Sequence, residues 1–186
     1  MILSDLSIKL AIGAGAIEID PFNPDQINPA SYDLTLGDSV TYYKCFLEGD
    51  TSHVLDSKYR QETETFRINK DRGIVLMPKM GYLMHTRERV WTNTYVPVVD
   101  GKSSLGRLFV QIHSTAGFGD PGYNGQYTLE MIVQHPVRLY PGMRIAQIRF
   151  HTIVGEVENT YDKTGHYTDG CALGAVGSQA YKQFNK

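Results

Sequence analysis

Residues 66–99 read FRINKDRGIVLMPKMGYLMHTRERVWTNTYVPVV, and this run decides the fold. Phe66 and Ile68 alternate with Arg67 and lead into a turn at 70–73. An apolar run at 74–77 follows, then a turn at 78–81, then strands at 82–85 and 90–99. Parallel strands need crossovers of a dozen or more residues, and this spacing leaves no room for them. Short strands with a turn every few residues predict an antiparallel barrel or jelly roll.

Upstream, Ser4 caps a helix that runs to about residue 14, with Leu6, Leu10 and Ile2 on one face and Gly13 and Gly15 supplying its end. Ile17, Ile19 and Phe22 alternate with Glu18 and Asp20 as a short strand into Pro21. In INPASYDLTLG (27–37), Asn28 and Pro29 enforce an extended entry. Tyr32, Leu34 and Leu36 then share one face of a strand, with Asp33 and Thr35 on the other. Residues 48–64 are polar and unpatterned and read as a surface excursion, with His53 lacking an evident partner. No repeat, low-complexity run or linker interrupts the chain. The expectation is one domain over 1–186, all-β, with a short N-terminal helix and one internal helix.

The composition narrows the function. A chain of 186 residues suffices for one core, and 41% hydrophobic with 20% charged residues is ordinary for a soluble protein. A net charge of −2 argues against whole-protein attraction to nucleic acid or acidic membranes, though a local cation cluster would still hold a small anion. No apolar run approaches the roughly 20 residues of a spanning helix. Asp5 and Lys9 interrupt the first apolar stretch, which does not read as a signal peptide. Cys45 and Cys171 lie far apart without metal-ligand spacing, consistent with a reducing, cytoplasmic setting.

The chemistry concentrates in 101–130, GKSSLGRLFVQIHSTAGFGDPGYNGQYTLE. Leu105, Leu108, Phe109 and Ile112 recur at helical spacing, which predicts a helix over 104–113 with Ser103, Arg107 and Gln111 on its other face. Gly101 and Lys102 would precede its N-terminus, where free N–H groups favour an anion. A capped surface helix with a solvated arginine explains the same residues. Asp120-Pro121-Gly122 and Asn124-Gly125 carry turn chemistry. Beyond them Gln126, Thr128 and Glu130 face one way and Tyr127, Leu129 and Met131 the other. A carboxylate among such neighbours sits either at an edge or in a site, because burying it unpaired is costly.

These segments resemble the dCTP deaminases, a branch of the dUTPase-like superfamily. The resemblance rests on GKSSLGR (101–107), TAGFGDPGYNG (115–125) and TLE (128–130), with PASYDLTLG (29–37), LYPGMRIAQIRF (139–150), GAVGSQAY (174–181) and the LSDLSIK opening. It implies a distorted β-barrel or jelly roll of the dUTPase-like type, assembled as a homotrimer with active sites shared between neighbours. It also implies deamination of dCTP to dUTP and ammonia, in dUTP and dTTP precursor synthesis, without a catalytic metal. The sequence supports the last point independently, because the His/Cys-x-Glu and Pro-Cys-x-x-Cys segments of zinc deaminases are missing from it.

Carried over residue by residue, the resemblance makes Glu130 the general base, with Ser103 and the Ala116 carbonyl holding the attacking water and Arg107 orienting the base and stabilising charge. Lys102, Ser103 and Ser104, within the 102–107 run that includes Leu105 and Gly106, would cradle a triphosphate whose Mg²⁺ arrives with the nucleotide. Thr128 and Leu129 would read the base edge, and Asp120 and Gln147 would complete the pocket. Tyr123 would floor the sugar against a 2′-hydroxyl. The tail, from about 160 to 186, would close over the phosphates through Tyr161, Tyr167 and His166. There the pattern departs from the family, with His166 at a usual lysine and Gly170–Cys171 at a usual glutamine. Lys102 stands for an arginine and Gly119 for an apolar residue.

Three readings follow. The main one is a dCTP deaminase that stops at dUTP. The alternative is a hydrolase, either the bifunctional enzyme that goes on to dUMP or a dUTPase, with Asp120 activating water at the α-phosphate. The third is a trimer that binds nucleotide without turnover. The resemblance also makes dTTP a candidate inhibitor.

Overall fold

The computed structural model describes residues 1–47, 54–167 and 174–184. In chain order these form α1 (Asp5–Gly13), β1 (Glu18–Asp20), β2 (Ile27–Asn28), β3 (Ser31–Thr35), β4 (Ser39–Tyr43), α2 (Lys44–Leu47), β5 (Thr63–Arg67), β6 (Ile74–Leu76) and β7 (Tyr82–Trp91). There follow β8 (Tyr95–Gly101), α3 (Ser103–Gly106), β9 (Val110–Gln111), β10 (Asn124–Val133), β11 (Val137–Leu139), β12 (Arg144–Thr152) and α4 (Tyr161–Thr164).

All of these strands pair antiparallel. One sheet runs β5-β4-β7-β10-β9, with β1 joining β7. A second runs β2-β3-β12-β8, and β11 pairs with β6. The all-β expectation with a short N-terminal helix is therefore met. Buried side chains from both larger sheets, among them Tyr32, Leu34, Met84, Leu129, Met131, Ile148 and Phe150, form one core. No helix among the described residues is long and apolar enough to cross a membrane.

Several expectations are corrected or refined. Ser4 does cap α1, its hydroxyl accepting from the Ser7 N–H at 3.3 Å. The helix, however, buries Ile8 and Ala11, while Leu6, Leu10 and Ile2 are exposed. Asp33 and Thr35 are buried along with their apolar neighbours, because both faces of β3 are covered.

The predicted break at 86–89 does not occur either. β7 runs unbroken to Trp91, and its buried Thr86 and Glu88 are satisfied internally, the Thr86 hydroxyl donating to the Glu88 carbonyl at 2.8 Å. Glu88, 1% exposed, accepts from the Thr35 N–H and hydroxyl, both at 2.7 Å, and from Gln26 Nε2 at 3.1 Å. The surface excursion at 48–64 holds as exposed chain over 54–60, but β5 already begins at Thr63, and residues 48–53 with His53 lie outside the described residues.

The largest correction concerns 104–113. α3 is a single turn, ending at Gly106. Phe109 adopts φ 57, a left-handed conformation that stops helix propagation, and Val110 then pairs with Val133. Leu105 and Ile112 are buried, but Leu108 and Phe109 are exposed. Gly106, costing about 1 kcal/mol in a helix interior, was the signal against a longer helix. Ser103, Arg107 and Gln111 therefore do not share a helical face.

Candidate active site

β10 supplies the floor of the site. Paired to β7 from Asn124 to Met131, it alternates strictly, so Tyr127, Leu129 and Met131 enter the core while Gln126, Thr128 and Glu130 face outward. A register shift between Gln126 and Thr128 is bridged by the Tyr127 N–H donating to Thr86 Oγ1 at 2.9 Å. A bulge of this kind re-aims neighbouring side chains.

Residues 115–119 form the adjoining wall, pressed onto β8. The Val99 N–H donates to the Gly117 carbonyl at 2.7 Å, and the Gly119 N–H to the Pro97 carbonyl at 2.8 Å. A Cβ at Gly117 would stand 2.3 Å from the Val99 carbonyl oxygen. At Gly119 it would meet the Tyr127 hydroxyl at 2.9 Å and Pro97 at 3.0 Å. The departure at Gly119 thus has a local cause, since Tyr127 fills the space a larger residue would take. Gly122, φ 95, accommodates the close approach of Thr160 to Asp162, and the Tyr161 N–H donates to the Pro121 carbonyl at 2.8 Å.

These walls enclose a cavity of about 420 Å³, within the usual range for a small-ligand pocket. Of the expected residues it is lined by Ala116, Asp120, Tyr123, Thr128, Glu130, Tyr161 and Tyr167. Tyr123 donates to the Gln126 carbonyl at 2.6 Å and packs against Tyr127 and Tyr161 at ring separations of 5.1 and 5.6 Å. Burial pushes the phenols of Tyr123 and Tyr127 well above their ordinary range, and that of Tyr161 upward, so all three are neutral surfaces.

The tail covers part of the opening. The Gly174 N–H donates to Gln126 Oε1 at 2.6 Å, Val176 N–H to Thr128 Oγ1 at 3.1 Å, and Ser178 N–H to the Tyr43 hydroxyl at 3.1 Å. Thr128's hydroxyl is thereby engaged by the chain's own tail. Leu129 is wholly buried, which leaves only its backbone to meet a ligand. His166 is exposed and its carbonyl accepts from Lys182 at 3.1 Å; it does not line the cavity. The departures at 170–171 lie outside the described residues.

Lys102, Ser103, Ser104, Leu105, Gly106, Arg107 and Gln147 do not line this cavity. Leu105 is core. Ser103, Ser104 and Arg107 are exposed on the single turn of α3. Lys102 is bound to Asp33, a carboxylate 2% exposed that also accepts from Asn28 at 2.9 Å and pairs with Arg144 at 3.4 Å. Gln147 lies beside this group, donating to the Gly101 carbonyl at 3.1 Å and accepting from Ser31 at 3.3 Å. One chain therefore presents two separate parts, a base-sized cavity and an exposed polar turn next to a cation cluster.

Two contributors escaped the sequence reading. Asp33 was legible only as lying on the strand face opposite Tyr32, Leu34 and Leu36, without its partners. His113, absorbed into the supposed helix, lies with Nδ1 at 2.8 Å from Glu130 Oε2. The alternation of Val110 and Ile112 with Gln111 and His113 was the available signal for it. Among the described residues no three of His, Cys, Asp and Glu stand together as a metal site.

The family described as dCTP deaminase-like matches residues 2–153. The chain is 41% identical over 184 residues to a "dCTP deaminase, dUMP-forming" of Clostridium acetobutylicum, covering 99% of both chains. It is 44% identical over 188 residues, and 100% of both chains, to the protein so named in Clostridium botulinum. Among solved structures it is similar to the 2′-deoxycytidine 5′-triphosphate deaminase of Agrobacterium tumefaciens, with TM-score 0.62 and 25% identity over 82% of this chain. It spans about half of that chain, 48%.

Proposed function

Since the chain belongs to the dCTP deaminase-like family, we propose that it hydrolyses dCTP·Mg²⁺ first at the base and then at the α-phosphate, releasing ammonia and pyrophosphate and ending at dUMP. The observation that carries this reading is that Glu130 and Asp120 line one cavity floored by tyrosines. Two carboxylates in one cavity support one for each hydrolysis. Full-length relatives named as dUMP-forming favour this two-step outcome over a deaminase that stops at dUTP.

In the first step Glu130 takes a proton from water as the oxygen adds to C4 of cytosine. That proton passes to the ring nitrogen. Glu130 then takes the remaining proton from the C4 hydroxyl and gives it to the amine, so that C4=O forms as the C4–N bond breaks and ammonia leaves. The Ala116 carbonyl and Ser103 hold the water, and Arg107 stabilises the developing charge. In the second step Asp120 takes a proton from a water that attacks the α-phosphorus. Pyrophosphate departs with the Mg²⁺ that came with the nucleotide. The tyrosine floor excludes a 2′-hydroxyl, and the tail from about residue 160 shuts the opening.

Ser103 and Arg107 reach such a site from a second copy of the chain. The support is that both are exposed, while the cavity holding Glu130 is lined by neither. Exposed Leu6, Leu10, Leu108 and Phe109 offer apolar surface for an assembly. Cyclic trimers place the same pair of complementary patches at each of their interfaces.

Purified protein incubated with dCTP and Mg²⁺, followed for ammonia, dUTP, dUMP and pyrophosphate, tests the proposal. Ammonia and pyrophosphate should appear together with little free dUTP. Ammonia alone would return the reading to a deaminase that stops at dUTP, and pyrophosphate from dUTP without ammonia would make it a dUTPase.

A further inference from the structure

We propose, building on Glu130 as the base of the first step, that His113 is the positioning residue for that base. Its Nδ1–H fixes Oε2 and leaves Oε1 as the oxygen that exchanges protons with substrate and water.

The argument starts from the 2.8 Å contact between His113 Nδ1 and Glu130 Oε2. An ionised carboxylate only accepts, so the hydrogen in this bond belongs to Nδ1. The other ring nitrogen is decisive. Among the described residues Nε2 is buried with no hydrogen-bond partner. A doubly protonated ring would leave a charged N–H buried there without an acceptor, which costs far more than a bare lone pair. The ring is therefore neutral, with its one proton on Nδ1. It fixes the direction of the carboxylate without setting a full positive charge against it, so Oε1 can both accept a proton and give it back.

The surroundings hold this arrangement in place. His113's side chain is 9% exposed and Glu130's 37%, so the ring stands behind a carboxylate at the cavity wall. His113 follows buried Ile112, and Gln111 pairs across the sheet with Ile132 of β10, which ties the ring's backbone to the strand carrying Glu130. Gly117 lies along the Cδ2 edge of the ring. Asp100 and Arg149 line a neighbouring cavity with His113, but they are paired to each other at 2.8 Å. A ring serving only to fill space would not need its single proton on Nδ1.

Two substitutions in the full chain separate positioning from packing. His113→Asn places an amide N–H near the Nδ1 position, whereas His113→Phe keeps a ring but offers no donor. With dCTP·Mg²⁺, His113→Phe should lower kcat for ammonia release on the order of 100-fold, the usual effect of a displaced catalytic group. Its KM should stay within about twofold, because the ring lies behind the base. His113→Asn should recover most of the rate. Near-normal kcat in His113→Phe, or equal impairment of both variants, would overturn the proposal. Imidazole ¹⁵N spectra of the unsubstituted protein give a readout that needs no turnover, and they should show Nδ1 protonated and Nε2 bare. An Nε2–H tautomer overturns the pairing even in an active enzyme. A protonated Nδ1 in a protein that releases no ammonia supports the pairing and instead removes the deaminase reading.

Discussion

Glu130 and Arg107 belong to one stretch of sequence, yet the fold secures them in opposite ways. Glu130 stands mid-strand in β10, between Leu129 and Met131, both wholly buried, and its carboxylate is held by His113. Arg107 follows a single helical turn, is exposed, and makes no side-chain hydrogen bond or ion pair among the described residues. A strand between two neighbours fixes a side chain by backbone register. An exposed turn fixes one only when something else arrives. The carboxylate is thus held by this chain alone, while the exposed arginine is free to meet the nucleotide or second copy that the proposed function calls for.

The sharpest way to break that contrast is at Glu130, the base of the proposed first step. Glu130→Gln should abolish ammonia release, by at least about 10³-fold where a general base carries the step, while dCTP binding measured by calorimetry persists. Turnover near the starting level would remove Glu130 from its role. Arg107→Ala should lower the rate by roughly 10²–10³-fold, typical of losing one charge-stabilising donor. The two inactive variants should complement each other. Co-refolded in equal amounts, they leave about a quarter of the sites of a cyclic assembly with both native residues. No recovered activity in verified mixed assemblies would place Arg107 and Glu130 in the same chain's site, or Arg107 in none.

The same contrast explains what could be read in advance. Alternation along 124–133 is a period-2 signal that burial on one side enforces, so the outward placement of Thr128 and Glu130 was legible. In 104–113, apolar residues at helical spacing competed with Gly106 and a left-handed Phe109, and the spacing misled because tertiary pairing of Val110 with Val133 overrode it. Asp33 escaped notice because its partners, Lys102 and Arg144, come from distant parts of the chain. His113 escaped because the helical spacing of 104–113 absorbed it, although its partner Glu130 lies in the same stretch. Within-segment pattern is visible in a sequence, and partnership across sheets is not.

The wall of the cavity offers a milder test of strand-built rigidity. Gly119→Ala sets a methyl against the Tyr127 hydroxyl and Pro97, and overpacking of this kind costs about 1–3 kcal/mol. Combining it with Tyr127→Phe removes the nearest contact. Denaturant melts should then show a favourable coupling of about 0.5 kcal/mol or more, as for other touching pairs. Strict additivity would mean that Tyr127 does not explain the glycine.

The smallest effect distinguishes the strand-built wall by pH. Tyr123 and Tyr127 are raised above the ordinary phenol value chiefly by burial. The unfolded chain therefore loses these protons first, at about pH 10, while the folded chain keeps them. Proton loss favours unfolding throughout that window, so their contribution is complete below pH 10 and declines as pH rises towards the folded values. Each such tyrosine steepens the decline by about 1.4 kcal/mol per pH unit within the window. Tyr127→Phe keeps the ring and removes one titrating proton, so the slope of stability against pH above 10 should fall by about that amount. Tyr59→Phe, at an exposed position in the surface excursion, is the control and should leave the slope unchanged. Equal slopes in all three proteins would mean that the phenol of Tyr127 titrates as freely as an exposed one, and that the wall is open to water where the packing closes it.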